Sequence, residues 1–362
     1  MTVPRTMKAV VLTGHGGFER LEYRTDVPVP TPAPGEVLVR VAAAGVNNTD
    51  INTRTGWYSR SVTEGTTAAG AAGGYSVTAS GDSGWTGGRF VFPRIQGADA
   101  CGEIVATGSE VAASRVGERV LVEPVFLAPG GAASDAVYFG SERDGAFAEY
   151  AAIPAAHAYR IESACSDAEL ASFPCAYSAA ENMLARAGLR AGETVLVTGA
   201  SGGVGSAAVQ LARRRGAQVI AVASAAKAAL VTSLGASRVV PRGSDLIAAV
   251  STESVHVAID VVGGPQFNEL LAVLRRGGRC AVAGAIGGPL VELDLRTLYL
   301  KDLRLLGCTV LEPGIFGNLI GYIERGEIRP VVAATYPLAA IVAAQRDFLE
   351  KQHAGKIVLL VR

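Results

Sequence analysis

The sequence predicts an α/β protein in which a doubly wound parallel sheet is inserted into a β-rich barrel. Three observations carry this reading. From Thr194 to Ser224 the chain writes out a strand, a glycine turn, a helix and a second strand in order. Before about residue 55 it shows short strands between turns with no helix among them. It finishes with Gly355-Lys356-Ile357-Val358-Leu359-Leu360, a strand able to pair back onto the first region.

Val195-Leu196-Val197 is the apolar run that a parallel strand buried on both faces requires. Gly202, Gly203 and Gly205 make the turn, and Gln218 to Ala223 is the second strand. A side chain at Gly202 would block close approach of a pyrophosphate to the backbone, and one at Gly205 would push the helix off its strand. The free amides of the helix's first turn, near Val204 to Ala207, point at such an anion. Ser201, Gly202, Gly203, Val204 and Gly205 are therefore the expected dinucleotide contacts, the alternative being a tight turn with no ligand. Ala200 stands where the G-x-G-x-x-G pattern has its first glycine.

About 20 residues past the glycines an NAD-specific site carries an acid for the ribose hydroxyls. Here the chain reads Ala223-Ser224-Ala225-Ala226-Lys227. A hydroxyl and an ammonium receive a 2′-phosphate, and no carboxylate repels it, so NADPH is the expected cofactor. Arg242, after a third strand at Ser237 to Val240, is placed to reach the same phosphate. The alternative makes Lys227 and Arg242 solvated surface cations.

The chain has 362 residues, enough for two domains with cores of their own, and 49% hydrophobic against 18% charged residues describes a compact protein. Lysine plus arginine and aspartate plus glutamate are both 33, so nothing argues for nucleic acid or an anionic membrane as partner. The opening MTVPRTMKAVVLTGHGG lacks an apolar stretch of signal-peptide length, and no segment reaches the roughly 18 apolar residues of a membrane helix. A cytoplasmic enzyme is expected. Cys101, Cys165, Cys175, Cys280 and Cys308 are scattered, which fits reduced thiols rather than a disulfide scaffold.

Along the chain, strands are expected at Ala9 to Leu12, Glu36 to Ala43, Gly102 to Thr107 and Arg119 to Val122, with the region closing near Pro154. From about Asp167 helices and strands alternate, including Val255 to Val262, a helix Gln266 to Leu274 and a strand Arg279 to Ala283. The expected borders are 1–160 for the first part of the β-rich domain, 161–314 for the dinucleotide domain and 315–362 for the return. Ser59 to Arg89, rich in Gly, Ala, Ser and Thr, reads either as a low-complexity linker or as a lid beside the active site.

The ordered set AGVNNTDINTRTGWY, DGAFAEY, VLVTGASGGVG and GKIVLLV resembles the medium-chain dehydrogenase/reductase superfamily, nearest to its zinc-independent quinone oxidoreductase and enoyl reductase branch. The likeness covers nearly the whole chain apart from Ser59 to Arg89 and Phe126 to Ser141. It implies a Rossmann domain inserted into a GroES-like domain. The superfamily's alcohol dehydrogenases hold catalytic zinc through a Cys, a His and a later Cys or acid. The aligned positions here are Asn47, Ala98 and Cys175, and one thiol does not make a three-ligand site. The loop FLAPGGAASDAVYFGSERDG has no cysteine for a structural zinc, so no metal is expected.

Without a metal, an acid must stabilise and protonate the atom that turns negative. The resemblance puts Tyr58 of Gly56-Trp57-Tyr58 over the nicotinamide, and a phenol of ordinary pKa near ~10 is protonated at neutral pH. Asn47 is expected beside the reacting carbonyl. The alternatives are a pocket-wall tyrosine and a buried turn-former. Ser178 is expected to take over the cofactor contact that the family makes with a Thr at the position of Ala179. Gly284 and Ala285 are expected at the carboxamide, and Lys356 at the closing cofactor contact, with surface lysine as its alternative. The expectation is an NADPH-dependent reductase of enones or quinones, acting on a small-molecule substrate and assembled as a homodimer. Other readings are a zinc-free carbonyl reductase or alcohol dehydrogenase, and a non-redox nucleotide-binding protein on the same fold.

Overall fold

The computed structural model describes residues 3–75, 81–128 and 130–362. The chain divides into two compact units, Met1–Val62 with Thr67–Cys175 and Ile320–Arg362, and Thr63–Thr66 with Ala176–Leu319. Among the described residues no helix is long and apolar enough to cross a membrane.

The first unit is built around Glu36–Gly45, whose buried valines Val37, Val39 and Val41 alternate along the strand. This strand pairs antiparallel with Cys101–Thr107, with Tyr150–Pro154 and with the terminal strand Lys356–Leu360. Val358 lies opposite Gly45 and Leu359 opposite Ala44, so the last strand returns to the first domain as its apolar pattern implied. Ile357 and Leu359 join Val37, Val39, Ile104 and Ile153 in one core. Each such side chain contributes roughly 1.5–3 kcal/mol on burial, which fixes the register of the return strand. Beyond it, Val332–Pro337 runs parallel to Lys356–Leu360.

The second unit holds six parallel strands. Their spatial order is Arg238–Pro241, Gln218–Ala223, Thr194–Val197, Val255–Asp260, Leu274–Val282 and Arg304–Gly307. Successive strands run outward one way from Thr194–Val197 and then the other way from Val255–Asp260. The crevice beyond their carboxyl ends is the switch point at which such sheets bind ligands.

Three elements depart from the sequence reading. The helix Asn48–Thr55 stands in a stretch read as strands between turns with no helix among them, because its polar run NTDINTRT carries no apolar period. Leu21–Pro28 pairs with Thr6–Leu12, yet most of its residues are exposed, so it shows no apolar alternation. Within Ser59 to Arg89 lies a short helix, Ala68–Gly73, capped by Thr67. The buried guanidinium of Arg54 donates to the carbonyls of Gly16 and Ala71 and to Gln345 Oε1, and it lies over the Phe18 ring. Trp85 stacks on Tyr138 with centroids 4.5 Å apart, and Ser83 meets His15 Nε2 at 2.8 Å. These parts of the inserted stretch are docked on the first unit by specific contacts, while Thr66 N–H donates to Ile286 O in the second. Residues 76–80 of the stretch lie outside the described residues.

Candidate functional site

In the second unit, Val195, Leu196 and Val197 are fully buried and deliver the chain to the glycine turn. The helix that follows, Gly203–Arg214, has Gly202 as its N-cap and no side chain capping it. Its first-turn amides, those of Gly203, Val204 and Gly205, have no acceptor within the helix and form a donor set suited to phosphate. A Cβ on Gly205 would stand 2.2 Å from Gly199 O, whereas one on Gly202 would stand 3.5 Å from that oxygen, an ordinary contact. Gly205 is therefore demanded by the protein's own packing, and Gly202 leaves a space that a pyrophosphate would use. The turn's positive φ, +57°, belongs to Gly199. This explains why Ala200, buried and donating its N–H to Val222 O, is tolerated where the pattern has glycine.

Ser224 directly follows the second strand and its carbonyl accepts from Lys227 N–H. Arg242 N–H donates to Ala223 O at 2.9 Å, which brings the third strand's exit beside the second's. Lys227 is held below the ordinary lysine range, first by burial and then by the charge of Arg242. The two cations are thus neighbours beside Ser224, in the constellation that suits a 2′-phosphate. Gly284 follows Ala283, whose N–H donates to Asp260 O. The 284–288 turn is held by Gly287 N–H to Val262 O and Gly288 N–H to Ala285 O. Ser178 is buried on the helix Pro174–Arg186.

The sequence reading missed Asp260. Its carboxylate is buried and accepts from Thr198 Oγ1 at 2.6 Å and from the amides of Val262 and Gly263. It ties the exits of the two central strands together. An acid at a strand's carboxyl end, directly before Val-Val-Gly-Gly, was the available signal.

In the first unit, Asn47 is the N-cap residue of the helix Asn48–Thr55, and Asp50 Oδ2 accepts from Asn47 N–H at 2.8 Å. Asp50 Oδ1 accepts from Gly97 N–H. The Asn47 side chain donates from Nδ2 to Asp99 Oδ2 at 2.8 Å and accepts at Oδ1 from Lys356 Nζ. Lys356 also donates to Asp99 Oδ2 at 2.7 Å and to Val46 O at 3.0 Å, with its side chain 4% exposed and that of Asp99 0%. Asp99 Oδ1 accepts the amide of Cys175. The structure thus joins Asn47 and Lys356 to Asp99, Asp50 and Cys175 in one cluster, of which Asp50, Asp99 and Lys356 are buried.

Burial pushes Asp50 up to about 7, against the lowering influence of the Asn47 amide and the Lys356 charge. It also pushes the Cys175 thiol up, with Asp99 adding to the effect, so that thiol stays protonated. Tyr58 lies at the end of the same helix and its phenol is pushed up to about 12, mainly by burial, while contacts with Thr49 and Asn52 act the other way. Thr49 and Asn52, three residues apart on one helix face, were not singled out from the sequence, where the polar run NTDINTRT shows no helical period. Asn52 Oδ1 is buried and lacks a hydrogen bond of regular geometry, leaving an acceptor beside the phenol. The arrangement can hold a proton on Tyr58 throughout the neutral range and hand it to an oxygen or carbon that gains charge.

Residues 33–163 match the alcohol dehydrogenase GroES-like domain family, and residues 203–325 match the zinc-binding dehydrogenase family. The acryloyl-coenzyme A reductase of Metallosphaera sedula is 32% identical, with 98% of this chain and 99% of that protein aligned. The quinone oxidoreductase of Lama guanicoe is 29% identical, covering 100% and 99% of the two chains. A solved structure from Sinorhizobium meliloti, given the name alcohol dehydrogenase, is 49% identical with a TM-score of 0.87, covering 99% and 97%.

Proposed function

The chain belongs to the medium-chain dehydrogenase/reductase superfamily, in the zinc-independent branch related to quinone oxidoreductases and enoyl-coenzyme A reductases, and from that premise we propose that it is an NADPH-dependent reductase of enones or quinones. The observation that carries the reading is the cluster from Asn47 to Tyr58, which offers a protonated phenol and, among the described residues, no group of side chains able to hold a metal ion. The dinucleotide, when bound, supplies the hydride. The uncapped turn at Gly202 to Gly205 would hold its pyrophosphate, and Ser224, Lys227 and Arg242 its 2′-phosphate. Tyr58 gives its proton to the enolate or to the hydroquinone anion, and Thr49 and Asn52 orient the phenol for that transfer.

The name borne by the 49% identical relative favours a second reading, a zinc-free carbonyl reductase or alcohol dehydrogenase. Exposed Leu295, Tyr299 and Leu300 on one short helix, with Leu305 on the edge strand Arg304–Gly307, support assembly as a homodimer through that edge. The testing experiment is binding of NADPH and NADH side by side, followed by NADPH oxidation against quinones, enones, enoyl thioesters and simple ketones. NADPH consumption with quinones or enones is expected. Turnover confined to ketones selects the second reading, and failure to bind either dinucleotide refutes both.

A further inference from the structure

An ammonium group has three protons to donate. In Lys356 all three have acceptors, namely Val46 O, Asn47 Oδ1 and Asp99 Oδ2, inside a pocket where the lysine and aspartate side chains are almost wholly buried. None is left over for a phosphate or a nicotinamide. Every polar group around it is likewise committed. Asp99 Oδ2 also accepts from Asn47 Nδ2, Asp99 Oδ1 accepts from the Cys175 amide, and the Asn47 amide N–H goes to Asp50. The side chains that surround this ammonium, Asn47, Asp99 and Cys175, include two of the three positions that align with the zinc ligands of metal-dependent members of the superfamily, and Asp99 directly follows the third, Ala98.

We infer that Lys356 is a positioning residue rather than a cofactor ligand: its ammonium is a resident cation that neutralises Asp99 and orients Asn47, so setting the start of the Asn48–Thr55 helix that carries Thr49 and Asn52 and leads to Tyr58. A buried carboxylate requires a paired cation, and the chain supplies one of its own at this place. The strand that carries Lys356 is anchored by Ile357 and Leu359 in the core, so the ammonium arrives at a defined height beside Val46. Val46 N–H donates to Ile357 O at 2.9 Å, which locks that register next to the cluster. The inference rests on the reductase reading only for its catalytic arm.

The test uses the full chain as Lys356→Ala and as the double variant Lys356→Met with Asp99→Asn, with Lys356→Met alone as the melting reference for the double variant. Lys356→Ala removes the fragment from Cγ to Nζ, which propylammonium chloride reproduces. The expected results are NADPH binding within about threefold of the parent for both variants and a lowered melting temperature for Lys356→Ala. Propylammonium, but not sodium chloride at equal ionic strength, raises that melting temperature and raises kcat with KM for NADPH unchanged. The double variant, having no unpaired buried charge, melts above Lys356→Met alone. If Lys356→Ala does not fold, the double variant carries the binding measurement. NADPH binding weakened by about tenfold or more in the double variant, or melting of Lys356→Ala insensitive to propylammonium, overturns the inference. If the parent turns over no acceptor, the reductase reading fails while binding and melting still decide the role of Lys356.

Discussion

Replacing Gly205 by alanine separates what the glycine turn does for the fold from what it does for a ligand. The added Cβ would lie 2.2 Å from Gly199 O and 2.7 Å from both Gly199 C and Ala200 Cα, all of them backbone atoms. Restoring ordinary contact requires the helix Gly203–Arg214 to retreat by roughly 1 Å from the turn. That helix is buried along Ser206 to Ala212, so the shift disturbs its packing on the sheet. Overpacking of this kind costs about 1–3 kcal/mol, and the upper end applies because no flexible side chain can yield. At roughly 2–4 °C per kcal/mol for a domain of this size, about 3 kcal/mol lowers melting by about 6–12 °C. This loss prevails over the roughly 1 kcal/mol that alanine gains over glycine in helix propensity. Gly202→Ala is the matched control. Its Cβ meets Gly199 O at 3.5 Å and its φ of −78° is open to any residue, so its melting temperature stays close to the parent's. Its affinity for NADPH nonetheless drops by about tenfold or more, because the methyl occupies the pyrophosphate's approach. Thermal melting without ligand and fluorescence titration with NADPH read the two effects. A Gly205→Ala protein that melts like the parent, or a Gly202→Ala protein that binds like it, refutes the reasoning.

Lys227→Ala is expected to weaken NADPH binding by about tenfold while leaving NADH binding unchanged, since only the former carries the 2′-phosphate; equal losses for both would remove Lys227 from that contact. Tyr58→Phe is expected to lower kcat on enones by about 10²-fold or more without altering NADPH affinity. With the phenol pushed up to about 12, turnover by the parent should show no basic limb from Tyr58 below about pH 10, and such a limb in the parent that is lost in Tyr58→Phe would contradict this. Asp50 has a folded-state value of about 7 against 3.8 for the free group, so the native state holds its proton more firmly than the unfolded chain. Its contribution to stability is therefore complete below about pH 4 and lost as pH rises to about 7, by roughly 4 kcal/mol at most. Denaturation of Asp50→Asn across that window should lack this slope, and an unchanged slope would assign it to other groups.

What was legible in the sequence was local. The glycine turn, its flanking strands and the helix lie within some thirty residues, and the unbroken apolar run Val195-Leu196-Val197 by itself marks a strand buried on both faces. The Thr49 to Asn52 face beside Tyr58 was not legible, because the helix that carries it, Asn48–Thr55, is a polar run without an apolar period and reads as a turn between strands. Even the return of the last strand could be read, because Ile357 to Leu360 needs a sheet to bury it. The edge strand Leu21–Pro28 could not, since exposed residues carry no burial pattern. Nor could the partners of Lys356 be read. Asp99 and Asn47 stand 257 and 309 residues from it in sequence, and no periodicity reports a pairing at that separation. The residue types along the chain determined where a dinucleotide would be cradled. The antiparallel register of Val358 with Gly45 decided that a lysine amino group would be driven into a buried carboxylate cluster instead of reaching outward, because only tertiary packing sets which distant backbone a strand's first residue meets.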